Sequence, residues 1–353
     1  MLDLTESNPT RAGIPYAEGE ILSALSQPAA LRYEPEPFGL RAARECVARE
    51  YGVDAGRVAL TASTSEAYGF LFKLLCDPGD EVLAPAPSYP LFDQLASFEG
   101  VALRRYRLAY DGAWHVDLAS VRAAITPRTK AILVVSPNNP TGSFASKDEV
   151  DALRATGLPV VCDEVFASYT LRPDSSGRRA ECAAREPGEG LVFSLGGLSK
   201  LTALPQMKLA WMLVGGAARA ADEALSRLAW IADGYLSVGT PVQHALPTLL
   251  ATRAAAHDAI LARTRRNLAA LTRAVEDHAV TLLDVEGGWY ATLRLPTVEP
   301  EMTTCLRALE RGVYVHPGGF FGFEEEAYVV VSLLTEEMTF AEGVGLLLST
   351  VSA

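Results

Sequence analysis

The sequence predicts an α/β protein: a large domain on a mostly parallel, doubly wound sheet flanked by helices, followed by a smaller α+β domain. Three observations carry this reading. Short apolar runs alternate with segments whose apolar residues recur at helical spacing through the first two thirds of the chain. The run Ala131-Ile132-Leu133-Val134-Val135 is apolar at every position, as in a parallel strand covered on both faces. After residue 217 the pattern changes to a long helical stretch and then to strands again.

Residues 1–20 are rich in turn formers (Asn8-Pro9, Gly13, Pro15) and read as an extended arm. Thr64 to Cys76 has apolar residues on one helical face. Glu81 to Ala84 is a short strand, Leu91 to Ser97 a helix and Val101 to Leu108 a strand. Val160-Val161-Cys162 and Leu191-Val192-Phe193-Ser194 are further apolar strands, and Leu209 to Val214 closes the series. Helical material runs from Ala217 to about Ala279. Strands at Trp289 to Leu295, Val313 to Val315 and Val329 to Leu333 follow, with helices at Thr303 to Glu310 and Phe340 to Leu348. The chain thus divides into an arm with part of the small domain (1–35), a large domain (36–245) and a small C-terminal domain (246–353).

Composition excludes several classes of partner. The formal net charge is -12 and the positive charges form no run, which argues against nucleic acid. No stretch of eighteen apolar residues exists, so no membrane span is expected. Met1 to Glu6 lacks the basic start and apolar stretch of a secretion signal. The cysteines (Cys46, Cys76, Cys162, Cys182, Cys305) are widely spaced and odd in number, as expected of reduced thiols in a cytoplasmic protein. Neither they nor the five histidines share a ligand spacing, so no metal is inferred.

Four segments fall at or just after the carboxyl ends of predicted strands, where open α/β sheets bind ligands. In Thr61-Ala62-Ser63-Thr64-Ser65-Glu66, Ser63 and Glu66 have the spacing of a capping box. Small hydroxyl residues at a helix start also suit a phosphate, and the segment alone does not separate the two uses. Ser136-Pro137-Asn138-Asn139-Pro140-Thr141-Gly142 ends its strand abruptly, either as a plain turn or to offer an asparagine amide to a ligand oxygen. Asp163, after Val160-Val161-Cys162, is either a helix cap or a carboxylate kept ionised by a cationic partner. In Gly196-Gly197-Leu198-Ser199-Lys200, the lysine is either solvated or buried and reactive, because an imine-forming lysine must shed its proton.

Taken together, in this order and spacing, the Asn139-Pro140-Thr141-Gly142, Asp163-Glu164 and Ser199-Lys200 segments resemble the class I/II aminotransferases, pyridoxal 5'-phosphate (PLP) enzymes of fold type I, aspartate-aminotransferase-like. The resemblance runs over roughly residues 4–348. It implies a Schiff-base role for Lys200 and pairing of Asp163 with the cofactor's pyridine nitrogen. Asn139 would bond the phenolic oxygen and Tyr89 would stack on the ring. Ser63, Thr64, Ser65, Ser199 and Lys208 would hold the phosphate end. Tyr33 and Thr240 would reach the phosphate of a neighbouring subunit, which implies a homodimer with shared active sites. Ala86–Pro87 and Asn139–Pro140 match positions where relatives have cis bonds.

The chain departs from the family's pattern at four places. Lys208 stands where an arginine is usual, and it offers a point charge in place of a fork. Phe166 stands where a tyrosine would bond the phenolic oxygen; Tyr169 is the nearby substitute to consider. Gly197 replaces a serine. Val330 stands where an arginine clamps the substrate carboxylate, leaving Arg11, Arg32 and Arg294 as candidate cations, with Arg11 and Asn139 taken as substrate-binding. Trp289-Tyr290 and Phe320-Phe321 are either pocket walls or core. The expected reaction moves an amino group from an amino donor to a keto-acid acceptor, with Lys200, Asp163 and Tyr89 as the catalytic set. The alternative within the same chemistry is a lyase or cyclase that eliminates or replaces at the β or γ carbon.

Overall fold

The computed structural model describes residues 1–174 and 177–351. Its main sheet has eight strands in the order Val58–Thr61, Ala210–Gly216, Leu191–Gly197, Val160–Asp163, Thr129–Val135, Glu81–Ala86, Ala102–Tyr110, Trp114–Val116. The five central members from Leu191–Gly197 to Ala102–Tyr110 run parallel. Ala210–Gly216 is antiparallel to both its neighbours, and Trp114–Val116 is an antiparallel edge.

Strand periodicity distributes the apolar runs over two faces. Leu133, Val135, Val161 and Phe193 pack on one side with Tyr68, Leu71 and Phe72 of helix Thr64–Leu75. Ile132, Val134, Val160, Cys162 and Val192 pack on the other with Val121 and Leu153, from helices Leu118–Ala124 and Lys147–Arg154. Each residue of the run is therefore buried, which is why the sequence shows no alternation there. Val58, Leu60, Trp211 and Leu213 form a third cluster with helices Arg41–Tyr51 and Thr240–Ala251.

The second lobe is a four-stranded antiparallel sheet, in the order Thr281–Leu282, Tyr290–Arg294, Tyr328–Ser332, His316–Pro317. Helices Ala254–Val275, Glu301–Glu310 and Glu337–Val351 belong to this lobe.

Several elements differ from expectation. The arm is not wholly extended: Leu2–Asp3 pairs in parallel with Val313–Tyr314, and helix Glu18–Leu25 begins within the arm. The strand expected over 313–315 therefore belongs to this small ladder and not to the four-stranded sheet. The helical stretch resolves into three helices, Ala218–Asp233, Thr240–Ala251 and Ala254–Val275. The strand Val58–Thr61 and the helices Arg41–Tyr51, Leu118–Ala124 and Lys147–Arg154 were not anticipated. Ala86–Pro87, Ser136–Pro137 and Asn139–Pro140 are all cis, the second without a sequence signal. Among the described residues no helix is long and apolar enough to cross a membrane.

Candidate active site

Three adjacent parallel strands end at one edge of the sheet with Val135, Asp163 and the turn that carries Lys200. A cavity of about 330 Å³ opens there. Ser63, Thr64 and Ser65 line it at the start of helix Thr64–Leu75, and Ser7 and Tyr290 line it from the arm and the second lobe.

Lys200 sits in the short helical turn Leu198–Leu201. Little room exists for a side chain at either preceding glycine. A Cβ on Gly196 would lie 2.4 Å from the Trp211 indole nitrogen, and one on Gly197 3.0 Å from the Ala210 Cβ. At 197 the close approach of Ala210 disfavours a side chain. The Lys200 Nζ lies 4.6 Å from the Trp289 ring centre and 5.1 Å from that of Phe166. Burial pulls its amine down to about 8, against the opposing pull of the Asp163 charge.

Asp163 shares the strand face of Val161, so it meets the helix that packs there. Tyr68 Oη donates to Asp163 Oδ2 at 3.0 Å, and the Val165 N–H donates to Oδ1 at 3.2 Å. Burial raises the carboxyl to about 6, and the two donors and Lys200 act in the opposite direction.

The neighbouring asparagines divide their work. Asn138 is spent on the loop: its Oδ1 accepts from Ser88 Oγ at 2.7 Å, and its Nδ2 donates to the Pro87 carbonyl and Thr141 Oγ1. Asn139 is also buried and lines the cavity, but its Oδ1 has no partner within the protein. An orphaned buried acceptor costs free energy, and only a group that donates a hydrogen bond to it would relieve it.

The helix-start reading of Ser63 holds in part. Its side chain accepts from the Glu66 N–H at 3.1 Å, but the Glu66 carboxylate turns to the Ala62 N–H and Ser237 Oγ. Tyr89, Ser199 and Lys208 also line the cavity. Burial raises the Tyr89 hydroxyl to about 12. Lys208 is exposed and occupies a left-handed conformation (φ 52°) at the end of the turn Pro205–Met207.

Other candidates lie outside this cavity. Tyr33 is 79% exposed and lines a separate groove together with Thr240. Arg11, Arg32 and Arg294 are exposed, and none of them lines the cavity. Tyr169 does not line it either, because its hydroxyl is bonded to the Lys200 carbonyl. Val330 is 1% exposed. Trp289 is core, Tyr290 a cavity wall, Phe320 exposed and Phe321 buried beside Tyr290. Sequence reasoning missed Tyr68, Ser7 and Val165. Ser7 stood in the turn-rich arm, Val165 just after Asp163 in a segment already marked, and Tyr68 in a helix expected for its apolar face alone.

Two lobes with this sheet order, and the site at the carboxyl edge of the large one, make the architecture that of the aspartate-aminotransferase-like fold type I enzymes. The family model for aminotransferase class I and II matches residues 2–340, and the chain belongs to that family. It is 27% identical to the glutamate-pyruvate aminotransferase AlaA of Haemophilus influenzae over 260 residues, which cover 71% of this chain and 63% of that protein. It is 28% identical to the alanine aminotransferase of Mycobacterium bovis over 320 residues, 86% of this chain and 72% of the relative. A Thermus thermophilus aspartate aminotransferase single mutant superposes with a TM-score of 0.86 at 24% identity, covering 99% of this chain and 91% of that one, and so establishes the fold.

Proposed function

We propose that this protein is a PLP-dependent aminotransferase that moves an amino group between an amino compound and a keto acid. The observation that carries the proposal is the one cavity that Lys200, Asp163 and Asn139 line together. The donor set fits the cofactor: an amine to bond its carbonyl, a carboxylate for a protonated ring nitrogen, an aromatic ring at Tyr89, and hydroxyls at a helix start for a phosphate. The names of the relatives favour amino-group transfer over elimination, replacement or cyclisation.

Bound there, the cofactor supplies an electron sink for the carbon that loses its proton. The protein's own residues do the rest. Lys200, with its amine near 8, is partly unprotonated at neutral pH, and it takes the proton from the reacting carbon and returns it one atom away. Asp163 holds a proton on the ring nitrogen, and Tyr68 and the Val165 N–H keep the carboxylate aimed. Tyr89 limits the tilt of the ring. Ser63, Thr64, Ser65, Ser199 and Lys208 hold the phosphate. The exposed Tyr33 and Thr240 serve the site of a second copy, in a homodimer with shared sites. The two sheets support the division into an arm (1–35), a large domain (36–245) and a small domain (246–353). The five free cysteines suit a cytoplasmic location.

The test is reduction of the PLP-loaded protein with borohydride, followed by peptide mapping. The expected result is cofactor mass on Lys200 and loss of amino transfer in Lys200→Ala. Cofactor fixed on another lysine, with Lys200 unmodified, would overturn the assignment.

A further inference from the structure

The substrate end of the cavity is walled without a cation. Among the described residues that line it, only Lys200 and Lys208 carry positive charge. Lys200 is the reacting amine of the proposal above. Lys208 lies on the connection into Ala210–Gly216, whereas Tyr290 belongs to the other lobe.

The register of the second sheet explains the wall. Tyr290 pairs with Ser332 and Thr292 with Val330, so these four side chains share one face. Tyr290 lines the cavity, and Thr292 Oγ1 donates to the Pro140 carbonyl at 3.4 Å, next to Asn139. Val330 therefore looks toward the Asn139-Pro140 turn with an apolar surface. Ser332 Oγ is used by the Glu6 carbonyl at 2.6 Å.

Nearby arginines do not fill the gap. Arg263 donates through one nitrogen to the carbonyls of Ala12 and Leu334 and leaves its Nε without a partner, Arg11 and Arg294 are exposed, and none of the three lines the cavity. Burial raises the Tyr290 hydroxyl, Ser7 opposes that, and the Glu6 carboxylate adds a smaller push in the same direction as burial, so negative charge reaches this end. The chain as a whole carries a net charge of -12. A carboxylate entering here would lose its hydration, and among this chain's own described residues that line the cavity no cation stands at the Tyr290 end to replace it; a cationic amine would be drawn in.

We infer that the amino donor for this site is a primary amine whose reacting carbon bears no carboxylate. The inference rests on the aminotransferase reading above. The amine leaves as the aldehyde or ketone: its nitrogen passes to the keto acid, which becomes the amino acid, and the keto oxygen is made good on the departing carbon by water. The keto acid is then held only by neutral donors such as Ser7 and Asn139, so it binds weakly.

The experiment uses PLP-loaded enzyme and matched pairs: 2-phenylethylamine and phenylalanine, cadaverine and lysine, butylamine and norvaline. Stopped-flow absorbance gives kcat/KM for each half-reaction. Calorimetry with unreactive 3-phenylpropionate gives a readout that does not depend on turnover. The expected result is an amine that equals or exceeds its amino acid in at least one pair, with 3-phenylpropionate binding weaker than about 1 mM. In Val330→Arg the preference should shift at least tenfold toward the acids.

Three results would overturn the inference. One is an amino-acid preference above tenfold in every pair, as a partner subunit's arginine would give. Another is submillimolar binding of 3-phenylpropionate. The third is no response to either member of any pair. Failure of borohydride to fix cofactor on Lys200 would instead remove the underlying aminotransferase reading.

Discussion

The phenol of Tyr169 donates a 2.8 Å hydrogen bond to the main-chain carbonyl of Lys200. The ring is fully buried, stacked on His257 at 4.7 Å and edge-on to Trp289 at 5.0 Å. The tyrosine thus fixes the turn from which the lysine side chain departs. Tyr169→Phe keeps the packing and removes the bond, so urea denaturation should show a loss of about 1 kcal/mol. If the bond also positions the amine, kcat should fall several-fold with KM little changed. A stability loss with unchanged kcat would limit Tyr169 to a structural role.

The Lys200 amine should react as a weak base. With its pKa pulled from 10.5 to about 8, the cofactor-free protein should acylate at Lys200 with a pH midpoint near 8. The unfolded chain holds this proton up to about 10.5 and the folded one only to about 8. Stability from this group therefore rises with pH between those values. Quantitative labelling followed by peptide mapping checks the midpoint.

Asp163 has the opposite sign. Its folded pKa, about 6, lies above the unfolded value, so the folded apoprotein binds more protons between about 4 and 6. Stability from this group falls as pH rises through that window, and above it the buried charge costs at most about 3 kcal/mol. Asp163→Asn should therefore make the cofactor-free protein more stable than the parent at pH 7.5, with the gap closing toward pH 4. The same variant should lose transfer activity by orders of magnitude. Thermal melts at the two pH values, with and without PLP, check both.

Phe166 offers no donor where it faces Lys200. Phe166→Tyr should add one beside the cofactor's phenolic oxygen and stabilise its deprotonated form. The pH midpoint of the holoenzyme's visible absorption should then drop by about a unit. An unchanged midpoint would mean that the new hydroxyl points elsewhere.

Lys208 is exposed, so its charge is screened and its contribution modest. Lys208→Ala should weaken PLP binding by about tenfold, and Lys208→Arg should preserve or tighten it. Fluorescence titration of the apoprotein measures both.

The fold was legible where burial is two-sided. Val160–Asp163 and the Ala131 to Val135 part of Thr129–Val135 announce themselves because every residue there is buried. Val58–Thr61 is equally buried, but it is four residues long, and its only sheet neighbour among the described residues lies about 150 residues later. The site was legible where chemistry needs a rare combination, as at Asp163 and Lys200. It was not where a common side chain does an uncommon job. Tyr68 reads as a core aromatic on a helix face, and only strand register brings its hydroxyl to Asp163. Asn138 and Asn139 look alike in the sequence, and the turn alone decides which one is spent on the loop. Within the arm, the backbone path presents Ser7 and leaves Arg11 in solvent.

The late pairing of Val58–Thr61 also constrains synthesis. Its one partner, Ala210–Gly216, is made long after it. While the nascent chain is shorter than about 216 residues plus the length held in the ribosomal tunnel, the strand has no ladder to join, and the turn at Ser63 has no fixed wall. Stalled nascent chains of increasing length should gain protease protection at residues 58–65 only once that reversed strand has emerged.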